Sequence, residues 1–299
     1  MSTPLARRAQ RPRSDLRPAL VFLLPAAVGF ATFYLWPTLR GFYLSLTEYS
    51  LLGSPEFIGF ENYQDLVADP LFWNSLKVTL LYVVINIGLQ TVLALGLAVL
   101  LHRLTKSTLI RGVVLLPWLV APVVVALLWY WMLDYQLGIV NFALEAVGID
   151  PVAFFGDTTT AIPTIALINV WQHVGYTALL IFAGLQTIPP TVYEAGSLDG
   201  ASEWSMFWRI TVPLLRPVLA LVLVLTVIGS FQIFDTVAVT TAGGPENATR
   251  VIYYYIFERA FERFDFGYAS AMSVILFLIL IGVAFAQLKM MRAGESDLS

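Results

Sequence analysis

Six long stretches without a charged residue divide this chain and limit what it can fold into. Each is close to or above the roughly 18–20 apolar residues that a helix needs to cross a bilayer core about 30 Å thick. They lie at 18–39, 78–101, 112–133, 158–193, 217–234 and 266–288. The runs are continuous and do not alternate between apolar and polar residues, so they predict helices rather than the strands of a barrel. The sequence therefore predicts an all-α membrane protein with six transmembrane helices.

The composition excludes other classes of protein. Hydrophobic residues make up 58% of the chain and charged residues 12%, and the mean hydropathy is +0.77, which argues against a soluble globule. The chain has no cysteine and only two histidines, so a disulfide framework and a thiolate metal site are excluded, and no metal site is expected. No internal repeat or linker divides the chain, so one membrane domain is predicted at 18–291, between tails at 1–17 and 292–299.

The placement of basic residues predicts the orientation of the chain. The N-terminal tail, two loops on its side and the C-terminal end hold Arg7, Arg8, Arg11, Arg13, Arg17, Arg103, Lys106, Arg111, Arg209, Arg216, Lys289 and Arg292. The segments 134–157 and 48–69 on the other side hold carboxylates and no Lys or Arg. Only Arg250, Arg259 and Arg263 oppose this trend, in a loop that is also acidic. The positive-inside rule therefore predicts that both termini are cytoplasmic.

Prolines and short motifs refine the predicted helices, which span about 18–39, 76–101, 112–133, 161–187, 214–240 and 267–290. Pro25 and Pro37 are expected to kink the first helix. The outer segment 57–66 predicts a turn followed by a short interfacial helix. Small residues at 267–271 predict close packing of the last helix. The charged run 258–265 is interpreted as a solvated or partner-facing outer surface.

A partly polar segment at 189–213 lies on the cytoplasmic side, between the fourth and fifth spans. Pro189 and Pro190 can end one helix and open the next, since proline is tolerated in a first turn. Asp199-Gly200 is a strong turn signal, and Pro213 is expected to end the second short helix before the fifth span. Two short helices at an angle, with small side chains near the bend, can enter a groove on a partner. From the residues alone, a simple interfacial connector, which is common in polytopic proteins, is the favoured interpretation.

The residues of this segment resemble a known family pattern. Glu194, Ala195, Asp199, Gly200 and Ala201, followed by hydrophobic and proline positions at Phe207, Ile210, Pro213 and Pro217, resemble the cytoplasmic loop of membrane subunits of binding-protein-dependent ABC importers. Gly196 replaces the usual second alanine of the pattern and keeps the position small. The segments 57–66, 116–118, 241–249 and 267–271, and Gly138 with Asn141, resemble the carbohydrate-importer branch, and within it the first of two paired permeases.

The resemblance implies a type I ABC importer permease fold in the bacterial inner membrane, and a subunit that is not itself an enzyme. It implies that Glu194, Ala195, Gly196, Asp199, Gly200 and Ala201 couple the chain to an ATPase. The implied partners are a second homologous permease subunit, two cytoplasmic ATP-binding subunits that hydrolyse ATP with Mg²⁺, and an extracytoplasmic solute-binding protein, with no nucleic acid. This chain carries no Gly-rich phosphate loop followed by lysine, so no cofactor is expected on it.

Polar side chains at membrane depth are costly and usually face a cavity or another helix. The candidates for the solute pathway are Asn86, Gln90, Asn169, Gln172, His173, Ser230, Phe231 and Gln232. The neutral groups suit hydroxyl-rich solutes, and Phe231 can stack on a sugar face. Hydrogen bonding between helices is an equally good interpretation of each polar residue.

Two other classes of function remain as alternatives. An ion-coupled secondary transporter would favour a charged relay within the membrane, where only Asp235 near the outer end is a candidate. A membrane enzyme would need clustered catalytic groups at one interface, and none is evident. The sequence does not name the solute; sugars, polyols and glycerol phosphates remain open, and the lack of a central Lys or Arg favours a neutral sugar.

Overall fold

The computed structural model of the protein describes residues 16–50 and 53–292. Of the two predicted tails, 1–15 and 293–299 lie outside these residues. The helices are α1 (Leu16–Phe30), α2 (Trp36–Leu44), α3 (Glu61–Ala68), α4 (Pro70–Leu104), α5 (Thr108–Leu119), α6 (Pro122–Met132), α7 (Ile139–Ala146), α8 (Ala161–Leu185), α9 (Pro190–Leu198), α10 (Glu203–Met206), α11 (Val212–Phe231), α12 (Asp235–Thr240), α13 (Ile252–Phe257) and α14 (Phe266–Arg292), with π-helical turns at Ala31–Leu35, Phe207–Thr211 and Glu258–Glu262.

Five helical spans of the described chain are long and apolar enough to cross a membrane. They are Val21–Leu44, Pro70–Leu104, Ala161–Leu185, Glu203–Thr240 and Phe266–Gln287. The first span continues through both of its prolines, with the π-helical turn Ala31–Leu35 between them. No residue of its apolar window is buried, and the span packs on the rest of the chain through α2, which lies against α14.

The third predicted span is broken rather than continuous. The prediction of one helix at 112–133 is wrong, because α5 and α6 meet at an angle of 87°. Val120 and Ala121 between them have extended backbone, with ψ of 137° and 135°. Proline disfavours helical conformation in the residue before it, and it has no N–H to continue the ladder, so Pro122 ends one helix and opens another. If α5 and α6 are counted together as one bent span, the described chain has six candidate membrane spans.

The second short helix after Gly200 does not end at Pro213. The prediction of a stop there is wrong, because α10, the turn Phe207–Thr211 and α11 follow one another without a gap. Pro213 lies in the first turn of α11, where the wider π-helical turn before it has already changed the hydrogen-bond register. The fifth span instead breaks at its outer end, between α11 and α12, so one helix at 214–240 is also a wrong prediction.

A small cap covers the outer ends of α4 and α14. Strands β1 (Thr47–Glu48) and β2 (Glu56–Phe57) pair antiparallel, and α3 follows them as the sequence predicts. Leu66 of α3 joins the core, and Phe60 just before α3 is 70% exposed. An added Cβ on Gly267 would lie 2.1 Å from the Thr47 carbonyl oxygen, so the small residues predicted at 267–271 do permit close packing.

The centre of the bundle is formed by α4 and α8, which pack against each other, with α11 and α14 completing it. Ala94 and Ala98 of α4 and Ala178 of α8 are fully buried, so the two backbones approach closely. An added Cβ on Gly175 of α8 would lie 2.0 Å from the Val114 carbonyl oxygen, which places α5 directly on α8. These contacts fix the polar faces of α4, α8 and α11 relative to one another.

Candidate functional site

A cavity of about 130 Å³ lies between α4, α8 and α11 at membrane depth. Five of the residues predicted for the solute pathway line it: Asn86, Gln90, Asn169, His173 and Ser230. Leu180, Val222 and Leu225 supply apolar walls. Polar groups from three separate spans therefore lie around one cavity, and their role in a solute pathway stays a prediction.

A chain of hydrogen bonds ties the three helices together at this cavity. Asn86 Nδ2 donates to Ser230 Oγ at 2.9 Å and to Gln90 Oε1 at 3.3 Å. Gln90 Nε2 donates to Thr177 Oγ1 at 2.7 Å. Asn86 Oδ1 is buried and has no hydrogen-bond partner among the described residues. These polar groups thus hold the three helices in place, with one buried acceptor left unsatisfied.

Three other predicted residues do not reach the cavity. Gln172 is buried and donates through Nε2 to the Val120 carbonyl oxygen at 3.1 Å, where the break between α5 and α6 leaves that oxygen outside a helical ladder. Phe231 lies in the apolar core, 3% exposed. Gln232 is exposed just beyond the end of α11. The spacing of residues along one helix does not predict where these three side chains lie, because each lies near a break in a helix.

Sequence analysis missed three cavity residues, Tyr176, Thr177 and Thr226. Tyr176 stacks on Trp118 of α5, with ring centroids 4.5 Å apart and planes 8° from parallel. Helical spacing could have identified both α8 residues, since Tyr176 and Thr177 lie three and four positions after His173 and share its face. Their aromatic and hydroxyl groups add stacking and hydrogen-bonding capacity to the cavity.

The segment 189–213 forms a tight turn between α9 and α10. Gly200 has a φ of +76°, a conformation that favours glycine. The Gly200 amide donates to the Ser197 carbonyl at 3.1 Å, and the Ala201 amide donates to the Gly196 carbonyl at 3.0 Å. This is a Schellman motif, which ends α9 and satisfies its last carbonyl groups. The predicted turn at Asp199-Gly200 is therefore confirmed.

The two short helices cross at Gly196. An added Cβ there would lie 3.1 Å from Ile210 Cδ1, so a small residue keeps α9 close to the helix that follows. Ser202 begins α10, and its Oγ accepts from the Ser205 amide at 3.3 Å. Glu194, Ala195, Asp199 and Gly200 are exposed on the outside of this bend. Leu198 at the tip is 90% exposed.

On the opposite face, one carboxylate joins three segments. Asp69 Oδ1 accepts from the Leu71 amide at 2.8 Å, and Oδ2 accepts from the hydroxyl groups of Tyr255 at 2.6 Å and Tyr268 at 2.8 Å. Burial raises the pKa of Asp69, but hydrogen bonds from both tyrosines and from the amides of Leu71 and Phe72 outweigh it and lower that pKa below its ordinary value. Burial and the hydrogen bond to Asp69 raise the pKa of Tyr255 to about 12.

The charged run 258–265 is exposed at 261–264, as its interpretation as a solvated surface predicts, but its first residue is buried. Glu258 is only 6% exposed and pairs with Arg250 and with Arg263, the latter at 2.7 Å. Arg259 lies 3.6 Å from Asp265. A buried carboxylate needs paired charges and hydrogen bonds to remain ionised, and the neighbouring arginines supply them. The run therefore fixes the outer end of the bundle. Within the described residues no cluster of His, Asp or Glu could hold a metal ion.

Comparison with known proteins gives a consistent result. Residues 90–290 match the family described as the binding-protein-dependent transport system inner membrane component. The trehalose/maltose transport system permease protein MalF of Thermococcus litoralis is 34% identical over 274 residues, which cover 91% of this chain and 92% of that protein. The sulfoquinovosyl glycerol transport system permease protein SmoG of Agrobacterium fabrum is 34% identical over 280 residues, covering 93% and 91%.

A solved structure shares the fold. The bacterial alginate ABC transporter in complex with an alginate pentasaccharide-bound periplasmic protein contains a chain that superposes with a TM-score of 0.83. The match covers 93% of this chain and 96% of that chain at 23% sequence identity. The arrangement of α4, α8, α11 and α14, with a short helical segment between the fourth and fifth spans, is therefore that of a type I ABC importer permease.

Proposed function

This chain belongs to the family of binding-protein-dependent transport system inner membrane components, and we propose that it forms half of the translocation pathway of an ATP-driven importer for a carbohydrate-class solute. Membership of this family makes it a multi-pass inner-membrane permease subunit and a transport component rather than an enzyme. Beyond family membership, we propose the class of solute that the chain carries, its partner proteins and the roles of particular residues.

The exposed bend between α9 and α10 is the observation that best supports coupling to a separate ATPase. Glu194, Ala195, Gly196, Asp199, Gly200 and Ala201 surround a rigid turn with little side-chain bulk. A capped turn of this kind can enter a groove on another protein without ordering a flexible loop, which lowers the entropic cost of docking. The exposed Leu198 side chain gives the tip an apolar contact. We propose that this segment docks in a groove of one ATP-binding subunit.

The central cavity supports a solute pathway shared with a second permease subunit. Its volume of about 130 Å³ is below that of a complete small-ligand site, which is about 300–1,000 Å³. A similar partner chain facing this one would enlarge it, and Asn86, Gln90, Asn169, His173 and Ser230 would then line one wall. Neutral amide and hydroxyl groups suit the hydroxyl groups of a sugar.

The solute class rests on the relatives. MalF and SmoG are named for trehalose/maltose and sulfoquinovosyl glycerol transport, so both carry a carbohydrate-containing solute. The alginate transporter was solved with a loaded periplasmic binding protein, and we propose an extracytoplasmic binding protein as this chain's solute donor. An ion-coupled secondary transporter, the alternative left by the sequence, has no support from family membership.

Uptake into proteoliposomes tests the proposal. The chain is reconstituted with its partner permease, with or without the ATP-binding subunits, and supplied with binding protein and labelled sugar. A thermal-shift screen of the binding protein against a sugar panel identifies that sugar first. We expect uptake only with the ATPase subunits and ATP. Uptake by the permease chains alone, driven by an ion gradient, would contradict the proposal.

Substitution in the bend tests coupling separately. Gly200→Val places a branched side chain at a φ of +76°, which costs on the order of 1–3 kcal/mol locally, and adds bulk to the docking surface. We expect normal insertion and ATP hydrolysis no longer coupled to uptake. Gly148→Val is the matched control, because Gly148 has a φ of +82° in an exposed turn after α7. Equal losses in both variants would indicate general strain rather than coupling.

A further inference from the structure

A second cavity, of about 390 Å³, lies at the other end of the fifth span from the cytoplasmic bend. It is bounded by the end of α6, the segment 153–156 before α8, and the end of α12 with the loop that follows it. It shares no lining residue with the central cavity. Its volume falls within the range of small-ligand sites, about 300–1,000 Å³.

One wall of this outer cavity is a rigid loop at 241–249. Ala242, Glu246 and Asn247 all have positive φ, at 47°, 48° and 64°, although none is glycine. Such conformations cost about 1–3 kcal/mol each and persist only where surrounding contacts impose them, often at ligand sites. The wall is therefore held in one shape rather than free to adapt.

Hydrogen bonds impose that shape. The hydroxyl groups of Thr241 and Thr249 lie 2.7 Å apart, and Thr249 Oγ1 donates to the Gly244 carbonyl at 2.6 Å. Arg250 Nε donates to Asn247 Oδ1 at 2.8 Å, and Asn74 of α4 donates to the Asn247 carbonyl at 3.1 Å. A site built before its ligand arrives binds with a smaller ordering cost.

Aromatic rings form most of the remaining lining. Tyr130, Tyr135, Phe154 and Phe155 all face this cavity. Tyr130 and Phe155 pack with ring centroids 5.7 Å apart, and Tyr135 is 54% exposed. An aromatic face is apolar with a polar edge, so it packs well on the C–H face of a pyranose ring.

A fixed carboxylate lies among these rings. Asp134 Oδ1 accepts from the amides of Gln136 at 2.9 Å and Leu137 at 2.8 Å, and Oδ2 has no hydrogen bond from the described residues. Those amides, Leu137 first, lower the pKa of Asp134 below its ordinary value, so the carboxylate is ionised. An ionised carboxylate accepts hydrogen bonds from hydroxyl groups and repels other anions.

The segment that carries Asp134 is acidic. The segment 134–157 contains Asp134, Glu145, Asp150 and Asp157 and no Lys or Arg. Of these four carboxylates, Asp134 alone lines the cavity. An anionic solute, such as a sulfonated or uronic-acid sugar, meets this like charge, whereas a neutral sugar meets a hydrogen-bond acceptor and aromatic faces.

We propose that this outer cavity is a receiving site for a neutral, hydroxyl-rich solute such as an uncharged sugar, and that it discriminates against anionic ones. Tyr135 supplies a stacking face and Asp134 accepts hydroxyl hydrogens. The inference rests on the proposed import function, since it concerns the entry of the same solute.

Saturation-transfer NMR on the full chain in nanodiscs tests the proposal. The neutral probes are maltose, trehalose, sucrose and raffinose, and the anionic probes are glucuronate and sn-glycerol 3-phosphate. We expect at least one neutral probe to bind at millimolar concentration and both anions to bind more weakly. Preference for an anion, or no binding of any neutral probe, would overturn the proposal.

Single substitutions test whether the neutral probes bind in this cavity. We expect Tyr135→Ala and Asp134→Asn each to weaken binding at least about fivefold, a change of about 1 kcal/mol. Tyr253→Ala and Asp150→Asn are the matched controls, since Tyr253 and Asp150 are exposed and do not line the cavity. Equal effects in variants and controls would contradict the assignment.

The same variants in the complete transporter distinguish this inference from the proposed function. If ATP-dependent uptake is present but its dependence on solute concentration is unchanged by Tyr135→Ala and Asp134→Asn, the receiving site is wrong and the import function stands. Uptake without ATPase subunits would contradict the proposed function, regardless of the binding measured in nanodiscs.

Discussion

At the scale of single residues, Asp69 shows how one side chain can join distant parts of the sequence. Its carboxylate begins α4 and accepts hydrogen bonds from Tyr255 on α13 and Tyr268 on α14. The sequence gives no signal for this junction, because the three residues share no spacing pattern. By contrast, Gly200 was predictable, since Asp-Gly carries its own turn chemistry.

Replacing Asp69 with asparagine tests this junction through its dependence on pH. The folded pKa of Asp69 is below the ordinary carboxyl value, so its stabilisation is present above about pH 4 and is lost as pH falls through the lowered pKa. We expect Asp69→Asn to lower stability by about 1–2 kcal/mol at neutral pH, allowing for partial exposure.

The measurement is the thermal unfolding midpoint of the purified protein between pH 3 and pH 8, a range set by the carboxyl pKa of about 4. The curves for Asp69→Asn and the unaltered protein should converge at the acid end. Asp65→Asn is the control, because Asp65 is exposed on α3. A constant offset between the curves at all pH values would show that the ionised carboxylate is not responsible.

At the scale of elements, the lengths of the spans were predictable and their breaks were not. A bilayer requires about 20 apolar residues per helix, and this requirement leaves a clear pattern in the sequence. Prolines occur in several spans, and the sequence alone does not distinguish Pro25, which stays inside α1, from Pro122, which accompanies a break of 87°. The difference depends on neighbours such as Gln172, which satisfies the carbonyl of Val120.

Gln172→Leu tests whether that hydrogen bond supports the break. Leucine has a similar size but cannot donate, so the Val120 carbonyl would lose this hydrogen bond, at a cost of about 0.5–1.5 kcal/mol. We expect a lower unfolding midpoint and faster proteolysis between α5 and α6. Gln186→Leu is the control, because Gln186 is exposed at the end of α8 and its change should stay within about 0.5 kcal/mol. Similar midpoints for both variants would contradict this role.

At the scale of the whole molecule, charge separates the two faces of the chain. The basic residues predicted for the cytoplasmic side have few carboxylates near them, whereas the opposite side is acidic. The three arginines that oppose the positive-inside trend pair with Glu258 and Asp265, so their charge is largely compensated locally. The sequence shows that three arginines lie on this side but not which carboxylates they pair with. The pairing depends on the π-helical turn Glu258–Glu262.

The predicted orientation can be measured directly, since the chain has no cysteine of its own. We expect Ser54→Cys, on the outer cap, to react with a membrane-impermeant maleimide in intact cells or spheroplasts. Ser197→Cys, in the cytoplasmic bend, should react only after the membrane is opened. The unaltered protein provides the background without label. The reverse labelling pattern would place the termini outside the cell and remove the ATPase-docking role of the bend.

The unbroken helical run at 203–231 has a mechanical consequence. At 1.5 Å per residue it is about 40 Å long, with the bend at one end and Ser230 of the central cavity at the other. A tilt of about 10° around its midpoint moves each end by about 3.5 Å, given that length. If the bend docks on an ATP-binding subunit as proposed, such a helix would act as a rigid lever, and a push at the bend would reshape the cavity wall without a relay of side chains.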